Sequence, residues 1–216
     1  EMECDICSGP ITLGGFTIRT WNNKYYPQTT MKDVIVHSDN TGMVFVGQKL
    51  GLDKFYEYLQ NFGLGSPTDI DLQDESSPDL RVKETWKEID LATASFGQGI
   101  AITPIQMIRV VAAIANGGYL MEPHVVKLIK DDKGDFEIKP KAIRQVLKES
   151  TSRVMTEMMV AAVEEGEAKW TRLKGFKVAG KTGTAQIPVA GHYDPSKTIA
   201  SFVGFAPADD PKFVML

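Results

Sequence analysis

The sequence lacks any apolar run approaching the roughly 20 residues that a membrane-spanning helix needs. Its first ten residues, EMECDICSGP, also lack the basic and apolar regions of a signal peptide. The chain opens without an initiating Met and stops on an apolar run, PKFVML, that is typical of a strand just begun. We therefore expect a fragment truncated at both ends, with any membrane anchor outside these 216 residues.

An excess of positive charge is also missing, since 24 Lys and Arg are interspersed among 28 Asp and Glu. Such a balance gives no basic surface for phosphate backbones, so no nucleic acid partner is expected. Histidine and cysteine are scarce, and His37, His124 and His192 show no ligand spacing. Cys4 and Cys7 form a single Cys-x-x-Cys without the further ligands of a zinc site, which favours a tight turn, open to a disulfide, over metal binding. We expect no metal and no cofactor.

What is present is 43% apolar residues, enough for a sizeable core in one domain. Residues 30–50 have helical apolar spacing that Ser38-Asp39-Asn40 interrupts, which predicts two helices meeting there, and residues 52–62 predict a third. Residues 64–90 are rich in Pro, Ser and acids and predict a long connection. Thr103 and Pro104 then predict the start of a buried helix that ends at the paired glycines 117 and 118.

The second half of the sequence adds strands. Residues 124–138 predict two strands around a Lys-Gly turn, and residues 149–166 predict a helix ending at a glycine, with three Met at helical spacing in the core. FKVAGKTGTAQI and TIASFVGFAP predict an antiparallel pair joined by PVAGHYDPSK, residues 188–197. Helices first and hairpin-like strands late indicate an α+β fold.

Lys181-Thr182-Gly183-Thr184 permits two interpretations. Residues 175–182, GFKVAGKT, formally match the phosphate-loop pattern, yet FKVA is itself strand-like and no helical period follows. The favoured interpretation is a strand facing a pocket, where glycine allows close approach and Lys and Thr offer a cation and hydroxyls to an anion such as a carboxylate.

Ser-Asp-Asn at 38–40 followed by Lys-Thr-Gly at 181–183 gives two of three elements of the serine acyltransferases that penicillin acylates. With LGGFTIRTW, SFGQGIAITPIQMIRVVAAIANGG and ASFVGFAPADDPKF, nearly the whole chain resembles a class B penicillin-binding protein transpeptidase domain. The similarity is closest to the division and sporulation type, and the elongation type remains open. SFGQG itself is interpreted as backbone geometry rather than a binding loop.

The resemblance implies an antiparallel sheet flanked by helices, with a mainly helical part at about 30–118 and a sheet-forming part at about 119–216. It also exposes a departure, because no Ser in this sequence is followed three positions later by Lys. Family members carry their nucleophilic serine in such a Ser-x-x-Lys. We expect that this segment was cut away, so that the chain alone is inactive; loss during evolution is the alternative.

By the same resemblance, Ser38 would relay a proton to the leaving amine, Asn40 would bind the substrate amide and Lys181 would polarise Ser38. Thr182 and Thr184, with Gly183 between them, would bind the terminal carboxylate of a D-Ala-D-Ala peptide, and the Thr184 N–H would be an oxyanion donor. Asp39 is predicted to be only a helix cap or loop brace.

The implied function is a peptidoglycan D,D-transpeptidase that β-lactam antibiotics acylate. The implied location is the extracytoplasmic face of the bacterial cytoplasmic membrane, with peptidoglycan stem peptides and division or elongation membrane proteins as partners. A serine β-lactamase and a non-catalytic sensor or binding domain are the alternatives.

Overall fold

The computed structural model describes residues 2–189 and 192–216. Within these ranges the chain forms six α-helices: α1 Met31–Val36, α2 Asn40–Leu50, α3 Leu52–Asn61, α4 Glu88–Ser95, α5 Pro104–Ala115 and α6 Glu149–Glu164. None of the described helices is both long enough and apolar enough to cross a membrane. Short 3₁₀ turns at Lys83–Thr85 and Lys169–Thr171 precede α4 and follow α6.

The strands are all antiparallel where they pair. The largest sheet has the order β11–β10–β9, built from β9 Ala179–Val189, β10 His192–Ala206 and β11 Phe213–Met215. The described strands also form four two-stranded sheets: β1 Met2–Glu3 with β4 Gln28–Thr29, β2 Ile11–Leu13 with β3 Phe16–Ile18, β5 Tyr119–Met121 with β8 Ala142–Gln145, and β6 Leu128–Asp131 with β7 Gly134–Glu137. The predicted α+β class is confirmed.

Local signals placed most helix ends correctly. Thr103 caps α5 with Pro104 as its first residue, and the predicted helix over 149–166 is α6. The predicted break between two helices falls at residues 37–39, between α1 and α2. Gly97 and Gly99 have φ values of 92° and 78°, in the left-handed region that favours glycine, which agrees with the geometric interpretation of SFGQG.

Two expectations were wrong in part, and several short strands were missed. The residues predicted to connect the late strands, 188–197, are mostly strand, because β9 continues to Val189 and β10 begins at His192; residues 190 and 191 lie outside the described part. The pairing of β9 with β10 shifts register between Asp194 and Thr198, and Pro195 falls within this irregular stretch. The connection predicted over residues 64–90 ends in α4. The short strands β1 to β5 and β8 were not predicted, since strands of two to four residues carry too little periodicity.

The core that supports the main sheet lies between that sheet and two helices. Val111 of α5 and Met159 of α6 pack with Ala179 and Phe205 of the sheet, and Met155 joins them partly buried. Because α5 and α6 are fixed against β9 and β10, they also fix the elements that contact them, including α1. The division into a helical part at about 30–118 and a sheet-forming part at about 119–216 stays a prediction. The helix α6 lies within the second of these ranges and packs on the main sheet.

A second, smaller core holds the start of the chain. Cys4 and Cys7 are joined by a disulfide and are buried against Phe45 of α2. The tight turn predicted for this Cys-x-x-Cys is therefore closed by a bridge within the N-terminal segment. The packing of both cysteines against Phe45 places this segment on the helix that follows Ser38.

Candidate active site

Ser38 occupies a turn between α1 and α2 that has an unusual backbone. Its φ is 52°, in the left-handed region that residues with a Cβ rarely adopt. The Ser38 N–H donates to the Ile35 carbonyl at 3.3 Å and the Asp39 N–H donates to the Val34 carbonyl at 3.0 Å, closing the end of α1. Three residues thus join α1 to α2, and the Ser38 side chain in the middle of this turn is half-buried.

Asp39 fixes the start of α2. Its Oδ1 accepts hydrogen bonds from the N–H groups of Thr41 at 2.9 Å and Gly42 at 3.2 Å, and from the Thr41 hydroxyl at 2.7 Å. The carboxylate is buried and satisfies N–H groups that a helix start leaves without partners. The prediction that Asp39 caps a helix is confirmed, and the cap places Asn40 as the first residue of α2.

Lys181 lies on β9, 143 positions from Ser38 in sequence, yet the two side chains touch. The Lys181 ammonium donates to Ser38 Oγ at 2.9 Å and to the Thr182 carbonyl at 3.0 Å. Burial lowers the pKa of Lys181 below its ordinary value, and the negative charge of Glu167 opposes that shift. A partly desolvated cation therefore contacts a hydroxyl, an arrangement that polarises the hydroxyl and makes the site attractive to an anion.

Thr182, Gly183 and Thr184 follow Lys181 along β9, which is an edge strand. Among the described strands only β10 pairs with β9, so alternate N–H groups of β9 point away from any partner strand. Gly183 and Thr184 are exposed and Thr182 is half-buried. A Cβ on Gly183 would lie 2.8 Å from the hydroxyl oxygen of Ser201, its partner on β10, so this glycine also makes room for its own sheet.

Asn40 is close to Ser38 in sequence but is held by a different neighbour. Its side-chain N–H donates to the Arg19 carbonyl at 2.8 Å, and the residue is half-buried. The Ser38 side chain thus contacts Lys181 directly. The Asn40 side chain is instead oriented by Arg19, the residue that directly follows β3.

Two residues that the sequence analysis did not connect with the site complete its surroundings. Gly166 follows α6, and a Cβ added there would lie 2.3 Å from the Val36 carbonyl oxygen, so the end of α1 rests directly on this glycine. Glu167 comes next and supplies the negative charge that acts on Lys181. Gly166 was predicted only as a helix stop, and no local pattern signals a contact with a helix 130 residues away.

The phosphate-loop alternative does not survive. Lys181 and Thr182 lie inside β9, which runs on to Val189, whereas a phosphate loop opens a helix. In the described part of the chain, no three His, Cys, Asp or Glu side chains come together as they would around a metal ion.

Comparisons with known proteins agree with this geometry. Residues 6–216 match the family described as the penicillin binding protein transpeptidase domain. The chain is 38% identical over 210 residues to stage V sporulation protein D of Bacillus subtilis, covering 96% of the chain and 32% of that protein. It is 34% identical over 219 residues to penicillin-binding protein PbpB of Mycolicibacterium smegmatis, covering 96% of the chain and 34% of that protein.

Solved structures show the same likeness. Penicillin-binding protein 3 of Mycobacterium tuberculosis, complexed with ampicillin, superposes with a TM-score of 0.87 at 31% identity, covering 95% of the chain and 48% of that structure. The chain spans about a third of the length of the two relatives above. Because the family model matches residues 6–216, nearly the whole chain, the chain belongs to the penicillin-binding protein transpeptidase family.

Proposed function

We propose that the protein containing this chain is a peptidoglycan D,D-transpeptidase that works by serine acyl transfer and is acylated by β-lactams. The observation that carries the proposal is the 2.9 Å contact between Lys181 and Ser38. Relatives support it, since proteins of Neisseria meningitidis that are 29% identical are named probable peptidoglycan D,D-transpeptidase PenA. The proposed substrates are D-Ala-D-Ala stem peptides.

In the proposed reaction, a serine oxygen attacks the carbonyl carbon of the penultimate D-Ala, and the bond to the terminal D-Ala nitrogen breaks. The serine proton ends on the leaving amine. The amine of a second stem peptide later attacks the acyl carbon, the ester bond to the serine oxygen breaks, and a proton of that amine returns to the serine oxygen. Ser38 is suited to relay that proton because its hydroxyl accepts a hydrogen bond from Lys181 and can donate its own hydrogen elsewhere.

The strand after Lys181 is the proposed binding surface for the substrate's terminal carboxylate. Thr182 and Thr184 offer hydroxyls beside a cation, and charge-assisted hydrogen bonds of this kind are stronger than neutral ones. The Thr184 N–H is the proposed oxyanion donor, since one edge of β9 has no partner among the described strands. The side-chain amide of Asn40 is proposed to bind the substrate amide.

The nucleophile itself is proposed to come from a Ser-x-x-Lys elsewhere in the longer protein, because none of the ten serines of this chain is followed three positions later by Lys. The 216 residues alone are accordingly proposed to be inactive. The whole protein is proposed to act at the extracytoplasmic face of the bacterial cytoplasmic membrane, held by an anchor outside this chain, together with division or elongation membrane proteins.

The direct test is covalent labelling of the longer protein, including its Ser-x-x-Lys, with a fluorescent penicillin. Lys181→Ala and Ser38→Ala are each expected to slow adduct formation by about 10² or more, the scale on which losing one electrostatic group at an acyl-transfer site acts. Lys177→Ala, which removes an exposed lysine just before the same strand, is the matched control and is expected to label normally.

The outcomes separate the alternatives. A folded protein that forms no adduct contradicts the proposed enzyme and favours a binding domain. An adduct that is rapidly hydrolysed indicates a β-lactamase. Normal labelling of Lys181→Ala would show that the site has been assigned to the wrong residues.

A further inference from the structure

The left-handed backbone of Ser38 must be held in place by its surroundings. Residues with a Cβ keep such a conformation only where neighbouring contacts over-determine it. The hydrogen bonds that close α1 act before Ser38 and the Asp39 cap acts after it. Neither explains what holds the residues on either side of Ser38 against the rest of the chain.

Residues 19–26, which we call the flanking segment, make that connection at three points. The Arg19 carbonyl accepts the Asn40 side-chain N–H at 2.8 Å. The Trp21 indole N–H donates to the His37 carbonyl at 3.3 Å. The Tyr26 ring stacks on the His37 ring, with centroids 4.4 Å apart and planes 7° from parallel. His37 immediately precedes Ser38, and Asn40 follows two residues later.

The contacts of Trp21 are not those of a core residue. Its side chain is 59% exposed, so it fills no cavity in the protein interior. A large aromatic residue held mostly in solvent, with its one polar hydrogen directed at the residue next to Ser38, is better suited to orienting the turn than to stabilising the fold.

From this geometry we infer that Trp21 and Tyr26 are positioning residues that hold Ser38 against Lys181 through His37. The expected effect on the acylation rate rests on the proposed function, whereas the expected effect on the conformation of Ser38 does not. Neither residue is assigned contact with substrate. Loosening either contact lets Ser38 leave the left-handed region, which displaces its hydroxyl from the Lys181 ammonium, and displacements of about 1 Å can slow an enzyme by up to about 10²-fold.

The test uses the longer protein with its Ser-x-x-Lys and compares matched variants. Trp21→Phe removes the indole N–H and keeps an aromatic ring, while Trp86→Phe removes the same type of bond, from an indole N–H to the Arg81 carbonyl at 3.1 Å, far from Ser38 along the chain. Tyr26→Leu removes the stacked ring, and Tyr26→Phe keeps it. Trp21→Phe and Tyr26→Leu therefore disturb the turn at Ser38 through two different contacts, and Trp86→Phe and Tyr26→Phe are their controls.

Penicillin acylation is resolved into the dissociation constant of the first complex and the rate constant of acylation. Trp21→Phe and Tyr26→Leu are expected to lower the acylation rate constant by about 5- to 50-fold with a smaller effect on the dissociation constant. Tyr26→Phe and Trp86→Phe are expected to stay within about twofold of the wild-type rate. Thermal unfolding of all four variants shows whether a loss of rate follows a loss of fold.

A second measurement is independent of catalysis. Hydrogen exchange of the backbone amides at 37–41 is expected to quicken in Trp21→Phe and Tyr26→Leu but not in the two controls. A wild-type protein that does not acylate would refute the proposed function and leave this measurement valid. Unchanged exchange, or an unchanged acylation rate in an active Trp21→Phe and Tyr26→Leu pair, would overturn the inference.

Discussion

Replacing Gly166 by alanine adds a methyl group where α6 ends against α1. The added Cβ would lie 2.3 Å from the Val36 carbonyl oxygen and 2.8 Å from the Ala162 carbonyl oxygen. Both neighbours are backbone atoms, which cannot turn away as a side chain can. Reaching an ordinary van der Waals contact therefore requires the end of α1 to move by about 1 Å, in a region where close packing leaves little free space.

Two consequences follow from a shift of that size. Overpacking of this kind is expected to lower the free energy of unfolding by about 1–3 kcal/mol. Because Val36 precedes Ser38 by two residues, the shift also moves Ser38 relative to Lys181, and we expect acylation to slow by up to about 10²-fold in the protein with its nucleophile. Urea unfolding measures the first effect, and the rate of labelling by a fluorescent penicillin measures the second.

Gly9→Ala is the matched control, because a Cβ at Gly9 would have no heavy atom within 4 Å and Gly9 has no positive φ. It is expected to be close to neutral in both assays. If Gly166→Ala unfolds at the same urea concentration and labels at the same rate as Gly9→Ala, the close contact between α6 and α1 does not position Ser38, and the reasoning is refuted.

Other predictions concern charge and buried hydrogen bonds. Lys181→Met removes a cation whose pKa is lowered by burial. Between the lowered native pKa and the ordinary 10.5, Lys181 holds its proton more in the unfolded chain than in the native one, so the free energy of unfolding of the wild type should rise with pH relative to this variant. Urea unfolding at a series of pH values measures the difference. The hydrogen bond from Thr30 lowers the pKa of Asp33, so Asp33→Ala should lower the free energy of unfolding by about 1 kcal/mol at pH 7. The difference in stability between wild type and variant should vanish as pH falls below 3.8 and through the native pKa. Equal stability of the two proteins at neutral pH would contradict this prediction. Arg109→Lys should lower stability by about 1–3 kcal/mol in denaturant unfolding, because the buried guanidinium donates to the carbonyls of Gly63 and Thr68, whereas Arg153→Lys on the exposed face of α6 should not.

Sequence patterns predicted best where the structure depends on near neighbours. Asp39 had to cap a helix because its short carboxylate reaches the N–H groups two and three residues on, and Thr103-Pro104 had to start one. The strand at Lys181 followed from the apolar residues before it and the lack of helical period after it. Ser-Asp-Asn and Lys-Thr-Gly, in that order, also led to the family, because their chemistry requires these residue types.

Sequence patterns were less informative where pairing is weak or remote. The short strands β1 to β4 and the extension of β9 and β10 into residues 188–197 depend on a partner strand rather than on their own composition. The catalytic and binding roles of the site residues remain predictions that substitution and labelling must test: Ser38, Asn40, Lys181, Thr182, Gly183 and Thr184.

By itself, then, the sequence determined the fold class, the helix break at Ser38 and the two motifs, since each is written in consecutive residues. Only the tertiary structure decided that Lys181 reaches Ser38 across 143 positions, that Gly166 supports the end of α1, and that Trp21 and Tyr26 hold the residue before Ser38. Contacts between residues far apart in the chain arise from the packing of α1, α6 and β9 on one another, and no local pattern encodes them.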